Sequence, residues 1–411
     1  MQAKPYKYQI EILVLIFILT IIGFYNSLAF IKTQEYVFYH YDQTTNILFS
    51  ISFINALSFL FRPLGGSICS RIQHKTPNLL LPYLVIIYAF YNLLAVNLIP
   101  YFSINVTVIL LIVNCILLGV LLGGIYPQTL TVILNNKLSP AIKVFIGNCY
   151  FIAIYCGAAF SKITLADSSN IFYKSIIFLV PFIFCILAIY LYKSKYLYTT
   201  NIKSIANGIA LPKVCLKYNF WTIIRFTCFL TFVTSLNAFF LTIMPFYLVR
   251  YLNYAEKNVF TLQVVTFLCS IVGLLIGAMY HKILGRRLHL TLGILIKIIL
   301  YFLFKAYVNN NFLQIILFEC LCMLFVGLML SKIITILDSI FEPQYKLNSI
   351  NIIYNCSFGF FSGLAIFLST YLINKFGNLY MPSLIIVAFS YLSLISLWFT
   401  PNKDFFRYLE N

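Results

Sequence analysis

The chain has 411 residues, of which 62% are apolar and 9% are charged, and its mean hydropathy is +0.94. Soluble domains are about 25% charged, so this composition cannot clothe a water-facing surface. It excludes a soluble enzyme, a nucleic-acid binder and a secreted disulfide scaffold. The net charge of +18 is scattered between apolar runs, as in the cytoplasmic loops of membrane proteins, rather than gathered in a nucleic-acid-binding patch.

A transmembrane helix needs roughly 20 apolar residues to cross about 30 Å of hydrocarbon. Apolar windows between charged or Pro/Asn-rich breaks predict twelve spans, at 11–31, 46–66, 79–100, 105–134, 144–163, 174–192, 219–248, 259–280, 288–307, 312–337, 349–373 and 380–399. The first run has full span length and no small-residue cleavage site behind it, so it stays as span one. The eleven cysteines lie mostly inside apolar stretches and lack metal-site spacing, so they read as small hydrophobes.

With the N-terminus inside, the cytoplasmic segments hold seventeen Lys and Arg residues against seven on the other side. That bias places both termini in the cytoplasm; the expected location is the cell (inner) membrane. The longest polar break runs from Lys193 to Lys217, with Asn207-Gly208 and Pro212 as turn formers. It divides the chain into an N-terminal six-helix bundle (1–192), a cytoplasmic linker (193–218) and a C-terminal six-helix bundle (219–411). A weak repeat supports the division, because Ser70-x-x-x-His74-Lys75 after span two is echoed by Gly277-x-x-x-His281-Lys282 after span eight. The expected fold class is an all-α polytopic membrane protein of twelve transmembrane helices in two bundles, the major facilitator architecture.

Motifs in register along the chain carry a family resemblance. They are Phe61-Arg62-Pro63-Leu64-Gly65-Gly66, Gly123-Gly124-Ile125-Tyr126, Met244-Pro245-x-Tyr247-Leu248, Gly285-Arg286-Arg287, Tyr354-Asn355-x-Ser357-Phe358-Gly359-x-x-x-Gly363 and Met381-Pro382. Together they resemble the metabolite:proton symporter family of the major facilitator superfamily, in its proline/betaine osmoprotectant branch. The resemblance implies a cavity lined by spans one, four, seven and ten. Departures from the pattern are equally specific. The family's carboxylates in span one fall at Gly23-Phe24-Tyr25-Asn26, its span-four Glu is Ile125, and its loop aspartates are His74 and His281.

The few polar groups inside spans are the candidate substrate-binding or coupling residues. Arg62, beside Pro63, either binds an anionic group or anchors its helix by snorkelling. Glu319 in span ten either binds substrate or a proton, or pairs with Lys297 or Lys305 of span nine; the pair is the slightly favoured expectation. Lys332 reads as a snorkelling residue. Tyr25, Asn26, Tyr126, Asn148 and Asn355 are uncharged hydrogen-bonders that join helices or touch substrate. His74, Lys75, His281, Lys282, Arg286 and Arg287 sit in the two loops that could gate the cytoplasmic side, although solvated loop residues are the favoured reading of the two histidines.

The expected function is secondary transport of a small polar organic solute of amino-acid, betaine or organic-acid type by alternating access. Proton coupling stays open because the coupling carboxylates are missing. The alternative is a non-transporting relative or membrane sensor that keeps the fold. Ten acids and four histidines in no catalytic motif argue against an enzyme. The expected partners are substrate, protons and the lipid bilayer. No cofactor, metal or nucleic acid is expected, and the protein is expected to be a monomer.

Overall fold

The computed structural model describes residues 13–25, 27–28, 47–73, 80–98, 104–134, 140–165, a few positions between 183 and 190, 212–280, 286–331, 333–377 and 380–400. Helices stand at eleven of the twelve predicted spans. Span six lies almost wholly outside the described residues, as do positions 193–211 of the predicted linker. Six of the described helices are both long and apolar enough to cross a membrane.

Spans one to five of the N-terminal half are Leu13–Tyr25, Ile47–Leu60 continued by Arg62–Gln73, Leu80–Leu98, Ile104–Leu134 and Pro140–Leu165. In the C-terminal half, span seven begins at Pro212, seven residues before the predicted boundary, and is kinked at Asn219 (φ −118°, ψ 16°). The kink coincides with the predicted start of the span, so the basic Pro212–Tyr218 stretch is a helical extension rather than loop. Span seven then passes through a π-helical segment, Phe239–Ile243, into Met244–Arg250. Spans eight, nine and ten are Glu256–Met279, Arg286–Val308 and Phe312–Leu330, and a further helix, Ile333–Ile340, follows span ten. Span eleven runs from Pro343 to Phe376 with a π-helical centre, Asn355–Phe361, and span twelve is Tyr380–Trp398.

Local chemistry explains the breaks. Asn310 takes a left-handed turn (φ 50°) between spans nine and ten, and the Asn311 side chain caps span ten by accepting from Gln314 N at 3.2 Å. Gly377 ends span eleven at φ 69°, where a side chain would be strained. Pro245 has no N–H to offer the carbonyl four residues earlier, Leu241, which lies within the π-helical segment of span seven. Gln263 of span eight donates to the neighbouring Phe240 carbonyl at 3.2 Å.

Lipid tails are as apolar as leucine, so helices join through close packing and hydrogen bonds. Spans two and four meet on glycines: a Cβ on Gly65 would sit 1.9 Å from Val120 O, and one on Gly123 would sit 2.1 Å from Arg62 O. Spans eight and ten repeat the device, with Gly273 against Leu324 O at 2.1 Å and Gly327 against Ser270 O at 2.2 Å. Equivalent helix pairs in the two halves are thus joined by the same chemistry. Between the halves, span two packs along span eleven, with Phe53 on Phe367 and Gly363 against Phe59. Span five packs along span eight, with Tyr155 facing Phe267.

Candidate functional site

Arg62 follows Phe61, the turn that interrupts the helix of span two, and Pro63 comes next. The close crossings of spans two, four and eleven set its backbone against Gly123 and the stem of its side chain against Gly359. Among the described residues, Arg62 and Glu319 are the only buried charged side chains. A charge at mid-membrane costs roughly 2.5–3.5 kcal/mol on insertion scales, so each needs a physical account.

The guanidinium does not snorkel. Its carbon lies 4.2 Å from the centre of the Phe59 ring and 5.6 Å from that of Tyr126. Nη1 donates to the Phe358 carbonyl, 3.3 Å away in the π-helical part of span eleven. Nε is buried without a partner. Tyr126, Tyr354, Tyr150 and Tyr88 are the tyrosines within electrostatic reach. Among the described residues no carboxylate pairs with it.

Asn355 lies beside this arginine because Pro127 exposes its target. A proline cannot donate to the carbonyl four residues back, and in span four that carbonyl is Gly123 O. Asn355 Nδ2 takes it at 2.9 Å and also bonds Asn351 Oδ1 at 2.6 Å. Asn351 Nδ2 in turn donates to Gly66 O at 2.8 Å and to Ser70 Oγ at 2.5 Å. Tyr150 and Tyr354 share a hydroxyl contact of 3.1 Å across the same seam, and Tyr354 stacks on Phe358 at 4.6 Å. The two halves are therefore joined here by neutral hydrogen bonds and ring contacts around one buried cation.

Tyr126 faces Arg62 and also lines a small pocket formed by Leu19, Thr20, Gly23, Tyr88, Leu122, Ile125 and Thr129. Its ring rests on Phe24 at 5.1 Å.

The other predicted residues lie apart. Glu319 accepts a hydrogen bond from the Tyr307 hydroxyl of span nine. The expected pair with Lys297 or Lys305 is not formed. Lys297 Nζ stands 3.6 Å from the centre of the Tyr391 ring, and Lys305 is exposed. Depth along the helix brings a lysine within reach of Glu319, but azimuth does not: at 100° per residue, Lys305 is about 200° around the helix from Tyr307. Tyr25 is buried and accepts from Thr164 Oγ1 at 3.3 Å, joining spans one and five. Asn148 donates to Val144 O of its own helix at 2.8 Å, and its Oδ1 is buried unpaired. Arg286 and Arg287, expected in a loop, open the helix of span nine. Asn26, His74, Lys75, His281, Lys282 and Lys332 lie outside the described residues.

Sequence reasoning missed Asn351, Phe59, Tyr88, Tyr150, Tyr354 and Tyr307. Asn351-x-x-x-Asn355 was a readable signal, since two amides one helical turn apart share a face. The aromatic residues gave none, because the chain holds 31 tyrosines and 41 phenylalanines.

No protein-family model matches this sequence, and no curated protein matches it. Solved structures do. A crystal structure of a D-xylose-proton symporter aligns over 96% of this chain and 98% of its own, with a TM-score of 0.73 at 13% identity. The xylose transporter XylE from E. coli, in a partially occluded inward-open conformation, aligns over 96% and 98% with a TM-score of 0.75 at 12% identity. The proton:xylose symporter XylE of the major facilitator superfamily, bound to 6-bromo-6-deoxy-D-glucose, aligns over 97% of each chain with a TM-score of 0.71 at 12% identity. The chain has the major facilitator fold. It is a multi-pass membrane protein, and on this fold the Arg62 cluster falls where the two halves meet.

Proposed function

We propose that the protein is a secondary transporter that moves a small polar organic solute across the cytoplasmic membrane by alternating access of two halves, residues 1–192 and 219–411. The observation that carries the reading is Arg62, a buried cation with an unused donor at the seam between the halves. In this architecture parallel halves rock about a midplane site, and a seam of neutral hydrogen bonds can be broken on one side and remade. Both termini and the 193–218 linker are placed in the cytoplasm, by the excess of Lys and Arg on that side.

Two of the similar solved structures are xylose–proton symporters. A sugar is neutral, whereas an uncompensated guanidinium favours a solute with an anionic group. The amino-acid, betaine and organic-acid classes fit it better, in line with the resemblance to the proline/betaine branch. Glu319 is the proposed proton carrier, because it sits on Tyr307 and, among the described residues, no lysine locks it in an ion pair.

The test is counterflow in proteoliposomes against a panel of amino acids, betaines, organic acids and xylose. Trans-accelerated flux of at least one anionic or zwitterionic solute is expected. No acceleration by any solute would favour the non-transporting sensor.

A further inference from the structure

We infer that Arg62 is the docking point for a small monocarboxylate, a solute with one carboxylate on an uncharged and partly apolar body. Movement of that solute across the membrane rests on the transporter reading, whereas its binding at Arg62 does not depend on it.

Four observations converge. Arg62 is buried in the bundle and among the described residues has no carboxylate partner. Its donors are used unevenly: Nη1 is held by Phe358 O, while Nε is buried with nothing to donate to. The Nε side of a guanidinium is an edge on which a carboxylate binds through two parallel hydrogen bonds. One face of the guanidinium is covered by Phe59, so a carboxylate has to meet it in the plane of the fork. Tyr126, whose ring faces the arginine, also lines the adjoining pocket, which is apolar at Leu19, Leu122 and Ile125 and offers the hydroxyls of Thr20 and Thr129; it has room for about one water, so a solute's body must part these walls to enter. A single positive charge matches a single negative one, so a dianion would bring an uncompensated charge into the same burial.

The experiment uses the purified full chain in nanodiscs of neutral lipid and follows thermal unfolding at constant ionic strength. The probes are propionate and lactate, their primary amides, and inorganic phosphate. A ligand that binds only the folded protein raises the midpoint. Both acids are expected to raise it by several degrees, and the amides and phosphate are expected to leave it unchanged. Arg62→Gln should abolish the shift. Arg62→Lys should weaken apparent binding about tenfold, because a point ammonium lacks the planar fork; it carries the test where the glutamine variant does not fold. A shift from the amides equal to that from the acids, a shift that persists in Arg62→Gln or is undiminished in Arg62→Lys, or no shift from either acid would overturn the inference. A shift from phosphate alone would overturn the carboxylate assignment in favour of a phosphate site. Arg62-dependent binding without counterflow would sink the transporter reading and leave the site standing. Counterflow of a solute whose binding ignores Arg62 would do the reverse.

Discussion

The side-chain amide of Asn355 donates to the backbone carbonyl of Gly123 at 2.9 Å, and so binds span eleven to span four across the two halves. Gly123 is available because Pro127, four residues on, has no N–H for it. Removing the amide leaves a buried carbonyl unsatisfied, at about 1–3 kcal/mol. Asn355→Ala should therefore lower the unfolding midpoint. In a Pro127→Ala background the restored N–H takes the carbonyl, and the same substitution should cost clearly less. Equal losses in both backgrounds would show that the bond carries no stability.

Glycine packing gives a second contrast. A methyl group on Gly65 would meet the Val120 carbonyl at 1.9 Å, backbone that cannot give way without parting spans two and four. Gly65→Ala should destabilise by about 1–3 kcal/mol. At Gly293 the nearest atom is Leu394 Cδ2 at 3.1 Å, the tip of a flexible side chain. Gly293→Ala should be close to neutral, because roughly 0.5–1 kcal/mol of helix preference offsets the small shift. Thermal unfolding of the two variants checks the order.

Glu319 bonded to Tyr307, with Lys297 turned away over Tyr391, gives a third expectation. In proteoliposomes an imposed pH gradient should drive accumulation of whichever solute exchanges. Glu319→Gln should keep exchange and lose that accumulation, since glutamine cannot carry a proton. Lys297→Met should leave the response to the gradient unchanged. Accumulation that survives in Glu319→Gln would remove the residue from coupling.

Topology can be read by labelling. Single cysteines at Asn207 and Asn310 of a Cys-free variant should react from opposite sides of the membrane. Reaction from the same side would overturn the division into two six-helix halves.

The spans were legible because hydrocarbon thickness demands a long apolar run from each crossing helix, and Asn310, Asn311 and Gly377 mark the ends where backbone must turn. Arg62 was legible as a lone charge beside a proline in an apolar run. Its surroundings were not, because rings from Phe59, Tyr88, Tyr126, Tyr150 and Tyr354 converge from several helices and none is distinctive in so aromatic a chain. The expected Lys–Glu pair failed for a related reason. Residue spacing fixes depth along a helix, while the neighbour a side chain faces depends on rotation and packing, which a single sequence leaves open.

Alternating access requires the seam between spans two and eleven to part, and Ser70 and Asn351 touch across it through side chains 2.5 Å apart. Cysteines placed at both positions in a Cys-free variant can be oxidised to a disulfide that holds the halves together at that end. Counterflow should stop on oxidation and return on reduction, while each single-cysteine variant stays active throughout. Undiminished flux through fully cross-linked protein would contradict the account.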